Sequence, residues 1–471
     1  MIPRTIAASL LATAIVVAAY LALAWQPAVD PITPPDRASF DPALVRQGEK
    51  LAALGNCNVC HTAPGGKIFA GGRALTTPFG TIYSTNITPD PETGMGAWSE
   101  AAFRRSMREG VDRAGRHLYP AFPYDHFTLV TAEDDEALYA FLMTREPVRT
   151  AIPANQLPFP YNMRILLAGW KLLFLQRGPY HPDQAQSEEW NRGAYLVEGL
   201  AHCGACHTPR NGLGAEKTRE RFAGGESEGW TAYALNAQSP APVPWDADQL
   251  YDYLRNGWQA VHGVPRGPMA AVMDDLGSAD DADLRAIATY VANMIGEPAP
   301  QRRRQGDAAL AQARRGTEGA STTGSIDLMG QRAATEPDDE NGLGAKVYRS
   351  ACAECHERGR PLPFGGLHLA LSTAIEGPNP RNIINVVLAG LPAAPGGEPS
   401  PMMPGFSGAL SDEQLTALLA YLRARFSDKP QWTDIAKDVR DARTGARPVI
   451  AYPSHGIGAA PADVRERMSP W

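Results

Sequence analysis

Three times along the chain, apolar residues recur every three to four positions, stop at a cysteine pair, and resume in two further amphipathic stretches. The opening blocks read "RQGEKLAALGNCNVCH" (46–61), "NRGAYLVEGLAHCGACH" (191–207) and "LGAKVYRSACAECH" (343–356). In each, a glycine (Gly48, Gly193, Gly344) opens a short pattern with the spacing of an amphipathic helix, which ends at the first cysteine. The second blocks are "WSEAAFRRSMREGVD", "WDADQLYDYLRNGWQ" and "PRNIINVVLAGLP"; they stop near Gly110, Gly257 and Gly390, a helix C-terminal signal. Ser99 and Asp246 are the expected N-caps of the first two. The closing blocks, "TAEDDEALYAFLM", "GSADDADLRAIATYVANM" and "LSDEQLTALLAYLRARF", place a polar cap and acidic residues before an apolar stripe. Each unit therefore reads helix, CxxCH, loop, helix, Pro-containing loop, helix, an all-α pattern without βαβ alternation. The units are expected at 40–150, 186–298 and 339–427.

The segments between them differ in character. Residues 1–25 carry Arg4 and then an apolar run from Ile6 to Trp25, long enough to span a bilayer. The run also suits a secretory signal, with "ALA" at 22–24 as a cleavage site. An uncleaved anchor is preferred because the run exceeds a usual signal core. Either reading exports everything downstream and leaves Arg4 inside. Residues 26–40, with four prolines, form a tether. The linker 151–185 contains "MRILLAGWKLLFL" (163–175), which suits either a helix packed between domains or a surface facing a membrane or partner. Residues 299–338 are expected to be a partly disordered linker, with Arg302, Arg303 and Arg304 as solvated charge. A Pro-rich tail is expected over 428–471.

Composition narrows the chemistry. The 471 residues allow two to four domains. A net charge of −7 and no basic stripe argue against nucleic acid as a partner. All six cysteines fall in CxxC pairs: Cys57 and Cys60, Cys203 and Cys206, Cys352 and Cys355. A disulfide scaffold would use more varied spacings. Zinc needs four ligands close together, but these pairs lie more than a hundred residues apart. A thioredoxin-like redox pair would sit beside a βαβ unit. A histidine follows every pair: His61, His207 and His356. Thiols at i and i+3 share one side of a helical turn and can add to the two vinyl groups of one haem, with the next imidazole on its iron. The fold class expected is thus all-α, with three tandem class I cytochrome c-like domains behind the anchor or signal, each carrying a covalent haem c.

A methionine opposite histidine raises a haem's potential and suits electron transfer. Unit two offers Met269 and Met273, and Met269, after Gly-Pro in the loop before the last helix, is preferred. Unit three offers Met402 and Met403, and Met403 is preferred for its Met-Pro loop. Met143 and Met294 sit on apolar helix faces and read as core. Unit one has Phe122 where a methionine is expected, and phenylalanine cannot bind iron. Three outcomes stay open: His126 ligates, or His117, Met107 or Met95 reaches in from another loop, or the position is open. His126 is preferred because it lies in the right loop, four residues on. His181, His202, His262, His368 and His455 have no matching position and read as structural or solvated.

The stretches "GTIYSTNITPDPETGMGAWSE", "GRHLYPAFPY", "EWNRGAYLVEGLAHCGACHTPRN" and "MPGFSGALSDEQL" resemble the tri-haem cytochrome c subunits of periplasmic, membrane-bound dehydrogenases acting on alcohols, aldehydes, gluconate or related compounds. The resemblance covers nearly the whole exported chain. It implies a non-catalytic subunit on the periplasmic side of the cytoplasmic membrane. Such a subunit takes electrons from a catalytic dehydrogenase partner to membrane quinone or a downstream cytochrome. The departure at Phe122, with "YDHFT" following, resembles cytochromes paired with molybdenum hydroxylases of aldehydes or N-heterocycles. Two rival readings remain: a peroxidase-like multihaem enzyme with an open first haem, and a cytochrome module of a terminal oxidase.

Overall fold

A computed structural model describes residues 4–321, 342–357, 362–363, 365–393 and 400–445. The chain divides into two compact units, one of residues 1–183 with 198–202 and the other of 184–197 with 203–471.

The first unit begins with α1 (Arg4–Ala24), whose Thr5–Ala24 window is apolar and long enough to cross a membrane. Its domain is built from α2 (Pro42–Leu54), α3 (Cys57–His61), α4 (Glu100–Glu109), α5 (Tyr124–Phe127) and α6 (Ala132–Met143). A short antiparallel hairpin, β1 (Ala74–Thr77) and β2 (Gly80–Tyr83), lies between α3 and α4. The linker read from sequence contains α7 (Leu166–Phe174).

The second unit repeats this plan. Helices α8 (Glu188–Tyr195), α9 (Gly204–His207), α10 (Ala247–Asn256), α11 (Pro268–Leu276) and α12 (Asp281–Ile295) enclose a hairpin of β3 (Gly225–Ser227) and β4 (Trp230–Ala232). After α13 (Pro300–Ser321), the pattern returns as α14 (Leu343–Ala351), α15 (Ala353–His356), α16 (Thr373–Glu376), α17 (Arg381–Ala389) and α18 (Asp412–Phe426), followed by α19 (Ile435–Arg443).

One helix crossing recurs at the base of each repeat. A Cβ at Gly48 would collide with the carbonyl oxygen of Ala137 on α6 and crowd Phe141. Gly193 meets Ala286 and Tyr290 on α12 in the same way, and Gly344 meets Ala417 and Tyr421 on α18. The absent side chain lets the first and last helices of each repeat approach backbone to backbone. The buried faces follow the predicted stripes, for example Leu51 and Leu54 on α2 and Leu138, Phe141 and Leu142 on α6, two helices that pack together. The expected caps form: Ser99 accepts from Ala102 N at 3.2 Å and Asp246 from Gln249 N at 2.7 Å. Ser411 and Gln414 close a reciprocal capping box on α18.

Several expectations are corrected. The first two glycines do not open their helices; Asp41 and Ser187 cap them earlier, leaving Gly48 and Gly193 at the crossing points. The hairpins were missed, since strands of three or four residues carry too little alternation to read. The 299–338 linker begins as a helix, and Arg302 is not solvated: its guanidinium donates to the carbonyls of Ser239 (3.0 Å) and Ala241. Residues 322–338 of that linker lie outside the described residues. The first part of the 428–471 tail packs on the third repeat. Trp432, Ile435 and Val439 are buried, and the Trp432 indole donates to Gly377 O at 3.0 Å. Residues 446–471, including His455, lie outside the described residues.

Candidate haem sites

Each CxxCH forms a single helical turn: α3, then Cys203 leading into α9, then Cys352 leading into α15. The turn sets both thiols of a pair on one side of the backbone. The imidazole that follows donates its Nδ1–H to a backbone carbonyl in every case. His61 reaches Thr85 O at 2.6 Å, His207 reaches Tyr233 O at 2.6 Å, and His356 reaches Leu367 O at 2.7 Å. A carbonyl can only accept, so the proton sits on Nδ1 and Nε2 keeps its lone pair for a metal. Burial holds all three imidazoles below their ordinary pKa, which favours the neutral form.

Burial, then the neighbouring thiol, pushes Cys203 up to about 12 and Cys352 up to about 11.

The residues expected as sixth ligands differ in setting between repeats. Met269 occupies the first turn of α11 rather than a loop, as the second residue after Gly267, and its side chain is half-buried. Met273, one turn on, is 1% exposed and belongs to the core. Met403 is pinned by a bridge to Leu391, with N···O distances of 2.8 and 2.9 Å, and packs against the third repeat's core. Met402 is an exposed neighbour whose N–H donates to Pro363 O. Met143 is buried on α6 and Met294 half-buried on α12.

In the first repeat, Phe122 packs on Phe127, with ring centroids 5.2 Å apart. His126 is buried, and its Nδ1 donates to Glu198 O at 2.6 Å, the arrangement of the three CxxCH histidines. Both ring nitrogens of His117 are engaged, Nε2 with Ala24 O at 2.9 Å and Nδ1 with the Lys171 ammonium at 3.0 Å. Met95 and Met107 are buried. His202 packs edge-on to Phe127. His262 is buried and stacked on Trp245, and His368 caps a short 3₁₀ turn through Ala370 N.

The residues fit haem c. Besides the thiols and neutral imidazoles, Trp230 has a buried indole N–H with no hydrogen-bond partner among the described residues. It packs against Gly267, two residues before Met269, where only a missing Cβ allows the contact. A buried orphan donor suits a propionate carboxylate. Sequence reasoning did not find Trp230 or the carbonyls of Thr85 and Tyr233. Their signal was the pair of short glycine-containing turns that lead into β2 and β4, just before the two carbonyls.

Comparison with known proteins agrees with this chemistry. A family model described as cytochrome C oxidase, cbb3-type, subunit III matches residues 340–422. The chain is 46% identical to a nicotinate dehydrogenase subunit of Pseudomonas putida over 90% of its own length and 34% of that protein. It thus spans about a third of that relative. It is 34% identical to the fructose dehydrogenase cytochrome subunit of Gluconobacter japonicus, covering 90% of this chain and 88% of the relative. It is 36% identical to the gluconate 2-dehydrogenase cytochrome c subunit of Pantoea cypripedii, covering 85% and 90%. Thiols, neutral imidazoles and near-full-length similarity converge: the chain belongs to the family of cytochrome c subunits of dehydrogenases.

Proposed function

We propose that the chain is a tri-haem electron-transfer subunit built from three tandem class I cytochrome c domains. It receives electrons from the catalytic subunit of a periplasmic dehydrogenase and passes them to membrane quinone or another cytochrome. The observation that carries this reading is the threefold recurrence of one arrangement: a thiol pair on a helical turn, then an imidazole locked by a backbone carbonyl. Haem c, when bound, supplies a one-electron iron(III)/iron(II) couple at each site. The chain's own part is to hold the ligand atoms. Cys57 and Cys60, Cys203 and Cys206, and Cys352 and Cys355 form the thioethers. His61, His207 and His356 present Nε2 on the proximal side, and Met269 and Met403 offer thioether sulfur on the distal side. His126 is assigned to the first site because it lies in the loop where Phe122 replaces the expected methionine, and its Nδ1 anchor on Glu198 O matches that of the CxxCH histidines.

A molybdenum hydroxylase is the favoured partner class. Phe122 with "YDHFT" supports it, and so does the similarity to a nicotinate dehydrogenase subunit, since nicotinate is an N-heterocycle. A quinoprotein or flavoprotein alcohol dehydrogenase is the second partner class, supported by 33% identity to the cytochrome c subunit of the alcohol dehydrogenase (quinone) of Gluconobacter oxydans. The terminal-oxidase reading rests on a match to 340–422 alone, while the dehydrogenase relatives align over most of the chain. The peroxidase-like reading requires an open first site, which ligation by His126 would close. α1 acts as the membrane anchor in this reading, with the repeats on the periplasmic face.

Extraction in mild detergent and purification of the intact complex test the proposal. The expected result is a co-purifying large catalytic subunit containing molybdopterin, whose substrate reduces every haem. A chain that purifies alone and turns over peroxide contradicts it.

A further inference from the structure

We propose that α7, with the segment 159–163 leading into it, lies in the outer interface of the bilayer as a second membrane contact beside α1. The proposal rests on reading α1 as a retained anchor.

Depth comes from the way α1 joins its domain. The Tyr20 hydroxyl donates to Ile165 O at 2.8 Å, immediately before α7, and the same tyrosine lies beside Gly169 on α7. Tyr20 belongs to the apolar Thr5–Ala24 window. Four residues later, Ala24 O accepts from His117 Nε2 at 2.9 Å. At 1.5 Å per residue, α7 therefore meets the span about 6 Å below its end. Helices lying in a membrane interface sit about 5–10 Å into the headgroup and acyl boundary.

Composition and orientation agree. Leu166, Leu172 and Leu173 are 45%, 70% and 70% exposed, and a seven-residue spacing keeps Leu166 and Leu173 on one face. Phe159, Tyr161 and Met163 extend the patch at 78%, 46% and 42% exposed. The helix carries one charge, Lys171, and it points inward. Its ammonium donates to Glu109 O at 2.7 Å and Gly110 O at 2.6 Å, at the C-terminus of α4, and contacts His117. A cation there satisfies the last carbonyls of α4 and leaves the outer face of α7 uncharged. Water would meet a contiguous leucine and aromatic face, whereas lipid continuous with the span covers it.

The test uses the full haem-loaded chain in phosphatidylethanolamine–phosphatidylglycerol vesicles containing an acyl-chain photoactivatable probe, with labelled peptides located by mass spectrometry. The expected result is label on 159–173 as well as on 5–24. Leu172→Glu with Leu173→Glu should abolish label on 159–173 while the haem spectrum and the label on α1 stay unchanged. Label confined to 5–24 overturns the proposal. So does label on 159–173 that vanishes in the intact dehydrogenase complex, which would give the face to the partner. An N-terminal peptide missing from the mature chain would refute the anchor reading separately, and label on 159–173 would still decide the interface contact.

Discussion

Tyr233 holds His207 through its carbonyl, at 2.6 Å from Nδ1, and lays its ring on Gly377 in the third repeat. The reverse contact also exists: Leu367, whose carbonyl holds His356, packs on Gly263, six residues before Met269. The two residues that fix the CxxCH histidines of the second unit thus also fix its two repeats to each other. Around them, Asn382 exchanges hydrogen bonds of 2.8 Å with the backbone N–H and carbonyl of Thr231, and Asn379 accepts from the Thr231 hydroxyl at 3.0 Å.

Asn382→Leu should disturb His207 from a distance. Losing the clamp on Thr231 loosens the Tyr233 carbonyl and weakens the basicity it lends to the imidazole. The expected outcome in a potentiometric titration is a shift of one haem by about 40 mV, the equivalent of about 1 kcal/mol for a one-electron couple. The other two midpoints should stay in place.

His126→Ala should convert one haem from low-spin to high-spin and open it to cyanide, leaving the remaining haems inert. His126→Met should raise the potential of that same haem, since thioether ligation favours the reduced iron. Electronic and magnetic circular dichroism spectra check both, and unchanged spectra in both variants would remove His126 from the iron.

Gly193→Ala should cost about 3 kcal/mol or abolish folding of the second repeat, because its Cβ meets backbone rather than a movable side chain. Gly48→Ala and Gly344→Ala should do the same in their own repeats. Thermal unfolding followed by circular dichroism reads the effect. A neutral outcome would mean that the helix crossings can open.

His262 gives the protein an acid-sensitive element. The neutral ring stacks on Trp245 at 3.4 Å, its Nε2 donates to Gln249 Oε1 at 2.9 Å, and burial lowers its pKa from 6.5 to about 3. The unfolded chain binds this proton more readily than the folded one. The stabilisation is therefore full above about pH 6.5 and is lost as pH falls toward 3, a swing on the order of 5 kcal/mol. His262→Gln should flatten the pH dependence of the unfolding midpoint across that window.

Legibility followed the length and period of each signal. The three amphipathic blocks and their caps at Ser99 and Asp246 were readable because a helix repeats its stripe over several turns. The CxxCH turns were readable because their chemistry is local. The carbonyls of Thr85, Tyr233 and Leu367 were not, since any residue has one and only the fold selects it. Trp230 carried no sequence signal of its own, since only the fold brings Gly267 against it. The tail misled for a related reason: its prolines look like linker, while Trp432, Ile435 and Val439 are too widely spaced to show a face before α17 and α18 supply one.

The central claim is covalent, so weighing the chain tests it most directly. Electrospray mass spectrometry of the denatured, reduced protein, after acid-acetone washing, should give the polypeptide plus three haem groups. Tryptic peptides containing Cys57, Cys203 and Cys352 should each carry one of them. A mass equal to the polypeptide alone, with the colour lost to the wash, would contradict the account.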